Sequence, residues 1–182
     1  YEHKNTDNFV AIEETLDALN NLVKAGKVRN IGISNETAWG TNQYLNFAEK
    51  KNFAKIVSIQ NAYNFLNRAF EVGISEIAIR EKVGLLAYSP LASGYLSGKY
   101  RNGAMPKNSR MDLFYDFWGR YRTLNSEKAI EEYWNVAEKF NLNLAQMAIK
   151  FCEIKPFITS VIIGATTMEQ LKTNIDSVNI NL

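Results

Sequence analysis

The chain has 182 residues, 46% of them hydrophobic and 22% charged, which is a globular composition long enough for a sizeable core. Its net charge is +2 with lysines and arginines dispersed, so neither nucleic acid nor an anionic membrane surface is expected as a partner. No apolar run reaches the roughly 18 residues of a membrane span, and nothing at the start reads as a signal peptide.

In chain order, Asp7 or Asn8 can cap a helix that carries Ile12, Leu16, Leu19 and Val23 at helical spacing and stops at Gly26. Lys27 to Ser34 reads as a strand ending in Ser34-Asn35. A helix from about Thr37 to Lys51 follows, then a strand from Ile56 ending in Gln60-Asn61. Arg68 to Glu81 reads as one helix, and Gly84 to Tyr88 as a third strand. That strand breaks at Ser89-Pro90, because proline has no N–H to continue a ladder. The stretch from Leu91 to Asn125 is irregular but rich in aromatics: Tyr100, Phe114, Tyr115, Phe117, Trp118 and Tyr121. They argue against disorder and for a functional loop. Helices over Ser126 to Phe140 and Leu144 to Glu153 come next, the second capped by Asn143. A strand from Ser160 to Ile163 runs into Gly164-Ala165-Thr166-Thr167, and a last helix spans Met168 to about Ser177. The lone Cys152 cannot pair internally, so a packed structural thiol and a reducing, cytoplasmic setting are expected.

Strands alternating with helices imply an α/β fold with a parallel sheet and right-handed crossovers. The four strands end in small or polar residues, and that edge is the default ligand position in barrels and doubly wound sheets. The stretch Gly84 to Tyr100 concentrates the signal. Tyr88 could stack on a flat ring. Ser93-Gly94 and Ser97-Gly98-Lys99 offer close backbone approach, hydroxyls and a cation to an anion such as a phosphate. The same residues would also make an ordinary strand–turn with solvent-facing serines.

Four motifs carry a family resemblance: Gly32-Ile-Ser-Asn35, Ile59-Gln-Asn61, Ala87 to Gly94 with Ser97-Gly-Lys99, and Ile163 to Asn174. In this order and spacing they resemble the aldo-keto reductase family over nearly the whole chain. The resemblance implies a (β/α)8 TIM barrel of which residues 1–182 are the C-terminal half, strands 5–8 with their helices. It implies NADP(H) as cofactor and a small-molecule carbonyl substrate. Ser34, Asn35 and Gln60 match residues that hydrogen-bond the nicotinamide carboxamide, and Tyr88 matches the aromatic under that ring. Ser89, Pro90, Leu91, Ser93 and Leu96 match the loop beside the pyrophosphate. Lys99 and Arg110 match basic residues reaching its phosphates or the adenosine end. Gly164, Thr166, Gln170 and Asn174 match contacts to the 2′-phosphate and adenine; Thr166 and Thr167 supply hydroxyls where the family often has more positive charge, so NADP against NAD stays open.

The family's catalytic Asp, Tyr, Lys and His find no counterpart, and are expected upstream of Tyr1. His3, the sole histidine, reads as a surface residue without an orienting partner. The expectation is a carbonyl-reducing parent protein whose 182-residue piece is inactive alone. The alternative is a non-catalytic NADP(H)-binding regulatory subunit similar to potassium-channel β-subunits.

Overall fold

The structure, a computed structural model, describes residues 10–116 and 119–182. His3, the caps Asp7 and Asn8, and the aromatics Phe117 and Trp118 lie outside them. The elements are α1 (Ile12–Lys24), β1 (Ile31–Ser34), α2 (Ala38–Lys51), β2 (Ile56–Ala62), α3 (Ile74–Glu81), β3 (Gly84–Tyr88), α4 (Arg110–Leu113), α5 (Leu124–Lys139), α6 (Leu144–Glu153), β4 (Ile158–Val161) and α7 (Met168–Asp176).

The strands form one sheet in the order β1-β2-β3-β4. β1 and β2 are parallel, with Ile33 opposite Ile59 and Ser34 opposite Gln60, and an irregularity in register between Ile31 and Gly32. Between β3 and β4 the bonds Leu85 N to Phe157 O (2.9 Å) and Ile162 N to Ala87 O (2.8 Å) advance the same way along both strands. That is the parallel arrangement the alternation implied.

The chain divides into two compact units. One holds the described residues up to Asn61 together with Ala69–Leu86 and Pro156–Ser160. Its core is formed by Leu16, Ile56, Ile59, Val83 and Leu85, all fully or almost fully buried. Phe70 and Phe157 add a tilted ring pair at 5.4 Å. The other holds Ala62–Arg68, Ala87–Lys155 and Val161–Leu182. Its core joins Ala92, Leu96, Tyr100 and Met111 to Ile130, Ala137, Met147 and Ala148. Phe65 stacks on Tyr133 and on Phe151, at 4.3 Å from each.

Most elements fall where the sequence places them, and each shift has a local cause. β1 begins at Ile31, not Lys27, because α1 closes in a Schellman turn. Gly26, at φ +69°, donates to Val23 O, and Lys27 N reaches back to Leu22 O. The helix expected over Arg68 to Glu81 is split: a 3-10 turn (Ala69–Glu71) ends at Gly73, whose φ of +101° no helix tolerates. α5 starts two residues early because Thr123 caps it, accepting from Ser126 N at 3.1 Å. β4 spans Ile158–Val161 where Ser160 to Ile163 was expected; its pairing already begins at Phe157, directly after Pro156.

Asn143 caps α6 as expected, its Oδ1 accepting from Ala145 N (2.9 Å) and Gln146 N (3.2 Å). Asn143→Ala leaves both donors to water and is expected to lower the unfolding free energy by about 1 kcal/mol. Urea unfolding checks this, and an unchanged midpoint would show that the cap contributes nothing.

Candidate functional site

The unit containing β1 and β2 holds three of the sequence-predicted residues. The Ser34 hydroxyl donates to Gln60 O at 2.9 Å, and Asn35 N donates to the same oxygen at 3.0 Å. The Gln60 carbonyl therefore ties the end of β1 to β2. Asn35 sits at φ +55°, a left-handed position asparagine tolerates better than most residues. Its successor Glu36 is buried; Oε2 accepts from Thr37 N at 3.0 Å, and the Glu36 carbonyl accepts from Asn61 Nδ2 at 3.1 Å. A Cβ on Gly40 would collide with that carboxylate, so glycine gives Glu36 its space. Burial, and then the Glu36 charge, push the Tyr44 hydroxyl above its ordinary pKa. A cavity of about 370 Å³ is lined by Thr15, Gly32, Ser34, Tyr44, Ser58 and Gln60. Asn61 Oδ1 is buried beside this strand end with no hydrogen-bond partner.

The unit containing Tyr88 holds the rest. Ser89, Ala92, Ser93 and Gly94 have φ of +55°, +47°, +60° and +98°. The first three are strained, since left-handed backbone costs a non-glycine residue about 1–2 kcal/mol. Short bonds hold the turn: Ala92 N to Ser89 O (2.9 Å), Gly94 N to Leu91 O (2.8 Å), Leu96 N to Leu91 O (3.1 Å), and Ser97 Oγ to Gly94 O (2.8 Å). Pro90, Ala92, Ser93 and Leu96 are buried, while Leu91 is half-buried. Lys99 is half-buried, with Nζ 5.1 Å from the Tyr100 ring centre. A Cβ on Gly94 would lie 2.9 Å from Lys99 Cε, so this glycine supplies both the turn and the lane for the lysine.

Tyr88 itself is half-buried. The Arg120 guanidinium lies beside its hydroxyl, which holds Arg120 above the ordinary arginine range against partial burial, and beside the Tyr121 hydroxyl as well. Sequence reasoning missed Arg120, because a lone arginine in an irregular stretch carries no signal of a partner 32 residues earlier. Arg110, chosen instead, is the exposed first residue of α4, behind the buried cap Ser109.

At α7 the structure brings Gly164, Thr166, Gln170 and Asn174 together, but they bond one another. Thr166 N and Oγ1 both donate to Gln170 Oε1, at 3.0 and 3.1 Å. The Thr166 N–H is therefore occupied, because Gln170 folds back over the cap. Thr167 caps the helix, accepting from Gln170 N at 3.2 Å. Asn174 is buried and donates to Gly164 O at 3.1 Å.

The aromatics of the long loop wall a second cavity of about 520 Å³, lined by Tyr95, Tyr100, Met105, Met111, Tyr115 and Arg122. Burial pushes the Tyr95 hydroxyl up. Arg101 forks onto Glu131 (2.8 and 2.6 Å) and anchors this loop to α5. Among the described residues no helix is long and apolar enough to cross a membrane.

The strand ends of this parallel α/β sheet carry amides, a tyrosine and a strained small-residue turn. The chain belongs to the aldo/keto reductase family, whose sequence model matches residues 1–182. It is 49% identical to Protein tas of Escherichia coli (strain K12) over 173 residues, covering 95% of this chain and 50% of that protein. It is 38% identical to an aldo-keto reductase of Babesia bovis over 174 residues, covering 93% and 61%. It is 30% identical to a probable voltage-gated potassium channel subunit beta of Arabidopsis thaliana over 182 residues, covering 96% and 54%. The chain thus spans about half to three-fifths of the length of these relatives.

Cys152 is a free thiol. It is fully buried, its Sγ 3.5 Å from Tyr63 O, and burial pushes its pKa up to about 12. The unfolded thiol titrates near 8.5, so above that pH the unfolded state loses a proton that the folded state keeps. Stability is unaffected below about pH 8 and is expected to fall above it, by at most about 1.4 kcal/mol per pH unit from this group. Chemical denaturation of wild type and Cys152→Ala from pH 7 to 10 checks the sign: the extra alkaline loss should vanish in the variant.

Proposed function

We propose that the protein is an NADP(H)-dependent oxidoreductase that reduces aldehydes or ketones to alcohols, and that this chain supplies strands 5–8 of a (β/α)8 barrel and its cofactor-holding half. The observation that carries the reading is the end of β3. There Tyr88 opens into a turn of small, left-handed residues with Lys99 packed across Gly94. Strain of this kind persists where the surrounding structure over-determines it, and it concentrates at ligand sites.

The residues present fit a dinucleotide. Asn61 Oδ1 is a buried acceptor lacking a donor, next to Gln60, and an amide-bearing ring supplies donors. Ser34, Asn35 and Gln60 would hold the carboxamide. Tyr88 would flank the ring, with its hydroxyl fixed by Arg120. The turn from Ser89 through Leu91 and Ser93 to Leu96, with Lys99, would receive the pyrophosphate. Gly164, Thr166, Gln170, Asn174 and Arg110 would serve the adenosine end, where the mutual bonds of the first four fix the loop before any ligand arrives. When bound, NADPH supplies the hydride. The chain's own residues bind and orient; no general acid with an orienting partner is assigned among them, so the 182-residue chain alone is expected not to reduce aldehydes. A second reading, a regulatory subunit, draws on the likeness to the Arabidopsis channel subunit.

The test is fluorescence titration of the whole protein with NADPH, together with aldehyde-dependent NADPH oxidation. Both positive supports an enzyme, binding without oxidation supports the regulatory reading, and no binding overturns both. Tyr88→Ala is expected to weaken NADPH binding by about 1 kcal/mol, from lost ring contact. Arg110→Ala should weaken NADPH more than NADH, since a charged hydrogen bond to the 2′-phosphate is worth about 1.5–3 kcal/mol. Equal weakening would remove Arg110 from the 2′-phosphate.

A further inference from the structure

Asn64, which the sequence reading passed over, is 0% exposed, and its side chain is fully engaged. Nδ2 donates to Ser89 O at 2.8 Å and to the Tyr121 hydroxyl at 3.0 Å, and Oδ1 accepts from Leu66 N at 2.9 Å. Its own backbone N and O pair with Asn67, both at 3.1 Å, which fixes the Cα from which the amide projects. Ser89 is the first left-handed residue of the turn, and its carbonyl also receives Ala92 N at 2.9 Å. Both lone pairs of that carbonyl are therefore held, one by the turn and one by Asn64. The Tyr121 hydroxyl receives the other Asn64 hydrogen, and the Arg120 guanidinium lies beside both this hydroxyl and that of Tyr88.

One buried amide thus holds the turn at the Ser89 carbonyl and holds Tyr121, whose hydroxyl shares the Arg120 neighbour of Tyr88. An aliphatic residue could fill the space but would leave Leu66 N without its acceptor and take one hydrogen from each of the Ser89 and Tyr121 oxygens. An aspartate keeps the acceptor for Leu66 and offers no hydrogen to either oxygen.

We propose that Asn64 is a positioning residue for cofactor binding: it holds the Ser89–Gly94 turn and the Tyr88 ring in the geometry the cofactor requires. The inference rests on the cofactor reading above. Before Pro90 the backbone of Ser89 favours an extended conformation. Without the Asn64 bond the turn can relax toward it, and binding must then restore the strained form. The cost falls on affinity, while bound cofactor would restore the same geometry and so preserve turnover.

The experiment uses the whole protein with NADPH as probe and compares wild type, Asn64→Asp and Tyr121→Phe. It measures the Kd for NADPH, the KM for NADPH, kcat at saturating NADPH, and the melting temperature without cofactor. Asn64→Asp is expected to raise Kd and KM for NADPH by about tenfold or more while kcat changes less than about threefold. Tyr121→Phe keeps the Ser89 bond and is expected to raise Kd by about two- to fivefold. A merely structural Asn64 would lower the melting temperature and leave the Kd of the folded protein unchanged, which overturns the proposal. Should Asn64→Asp fail to fold, Tyr121→Phe decides, and an unchanged Kd there overturns it too. Wild type that binds no nicotinamide nucleotide overturns the cofactor reading and this inference together. Wild-type binding with both variants unchanged overturns this inference alone.

Discussion

The constraint on which the candidate site at Tyr88 depends is backbone strain at the end of β3. Within six residues the chain takes left-handed conformations at Ser89, Ala92, Ser93 and Gly94, and three of the four carry a Cβ. At about 1–2 kcal/mol each, such positions do not survive on local preference. They survive because core packing on one side and hydrogen bonds within the turn hold them. Ala92 and Leu96 are fully buried in the core with Tyr100, Met111 and Ala148. The Leu91 carbonyl takes two amides, and the Ser89 carbonyl takes one amide and one side chain.

That arrangement explains the small residues of the motif individually. Gly94 is required twice, by its φ of +98° and by the lysine stem lying across it. Gly98, at φ +79°, faces the Trp134 ring, and an added Cβ would collide with it. Ser97 satisfies the Gly94 carbonyl with its hydroxyl. An ordinary strand–turn with solvent-facing serines would need none of these fits. At the end of β1 the corresponding device is milder: Asn35 in the left-handed region, and one carbonyl, that of Gln60, receiving two donors.

Much of this was legible in the sequence because strands and helices announce themselves locally. Apolar runs gave β2 and β3, helical spacing gave α2 and α6, and the expected cap Asn143 bonds as its chemistry suggests. What failed was boundary detail set by backbone geometry: the Schellman turn after α1 and the positive φ of Gly73. The α7 loop failed differently. The resemblance singled out Gln170 and Asn174, yet nothing local showed that each would bond residues 164–166. Least legible were the clamps. Asn64 meets Ser89 across 25 residues and Tyr121 across 57, and no local pattern marks such partners. Membership of the aldo/keto reductase family, now shown over the whole chain, identifies the motif but not the residue that holds it.

The central claim is that a pre-strained turn after β3 receives the cofactor. Hydrogen–deuterium exchange of the whole protein with and without NADPH tests it most directly. The account expects the segment from Ser89 to Lys99 to be slow to exchange already without cofactor, and to slow further on binding. Fast exchange there without cofactor, or protection by NADPH that leaves this segment unchanged, would contradict it.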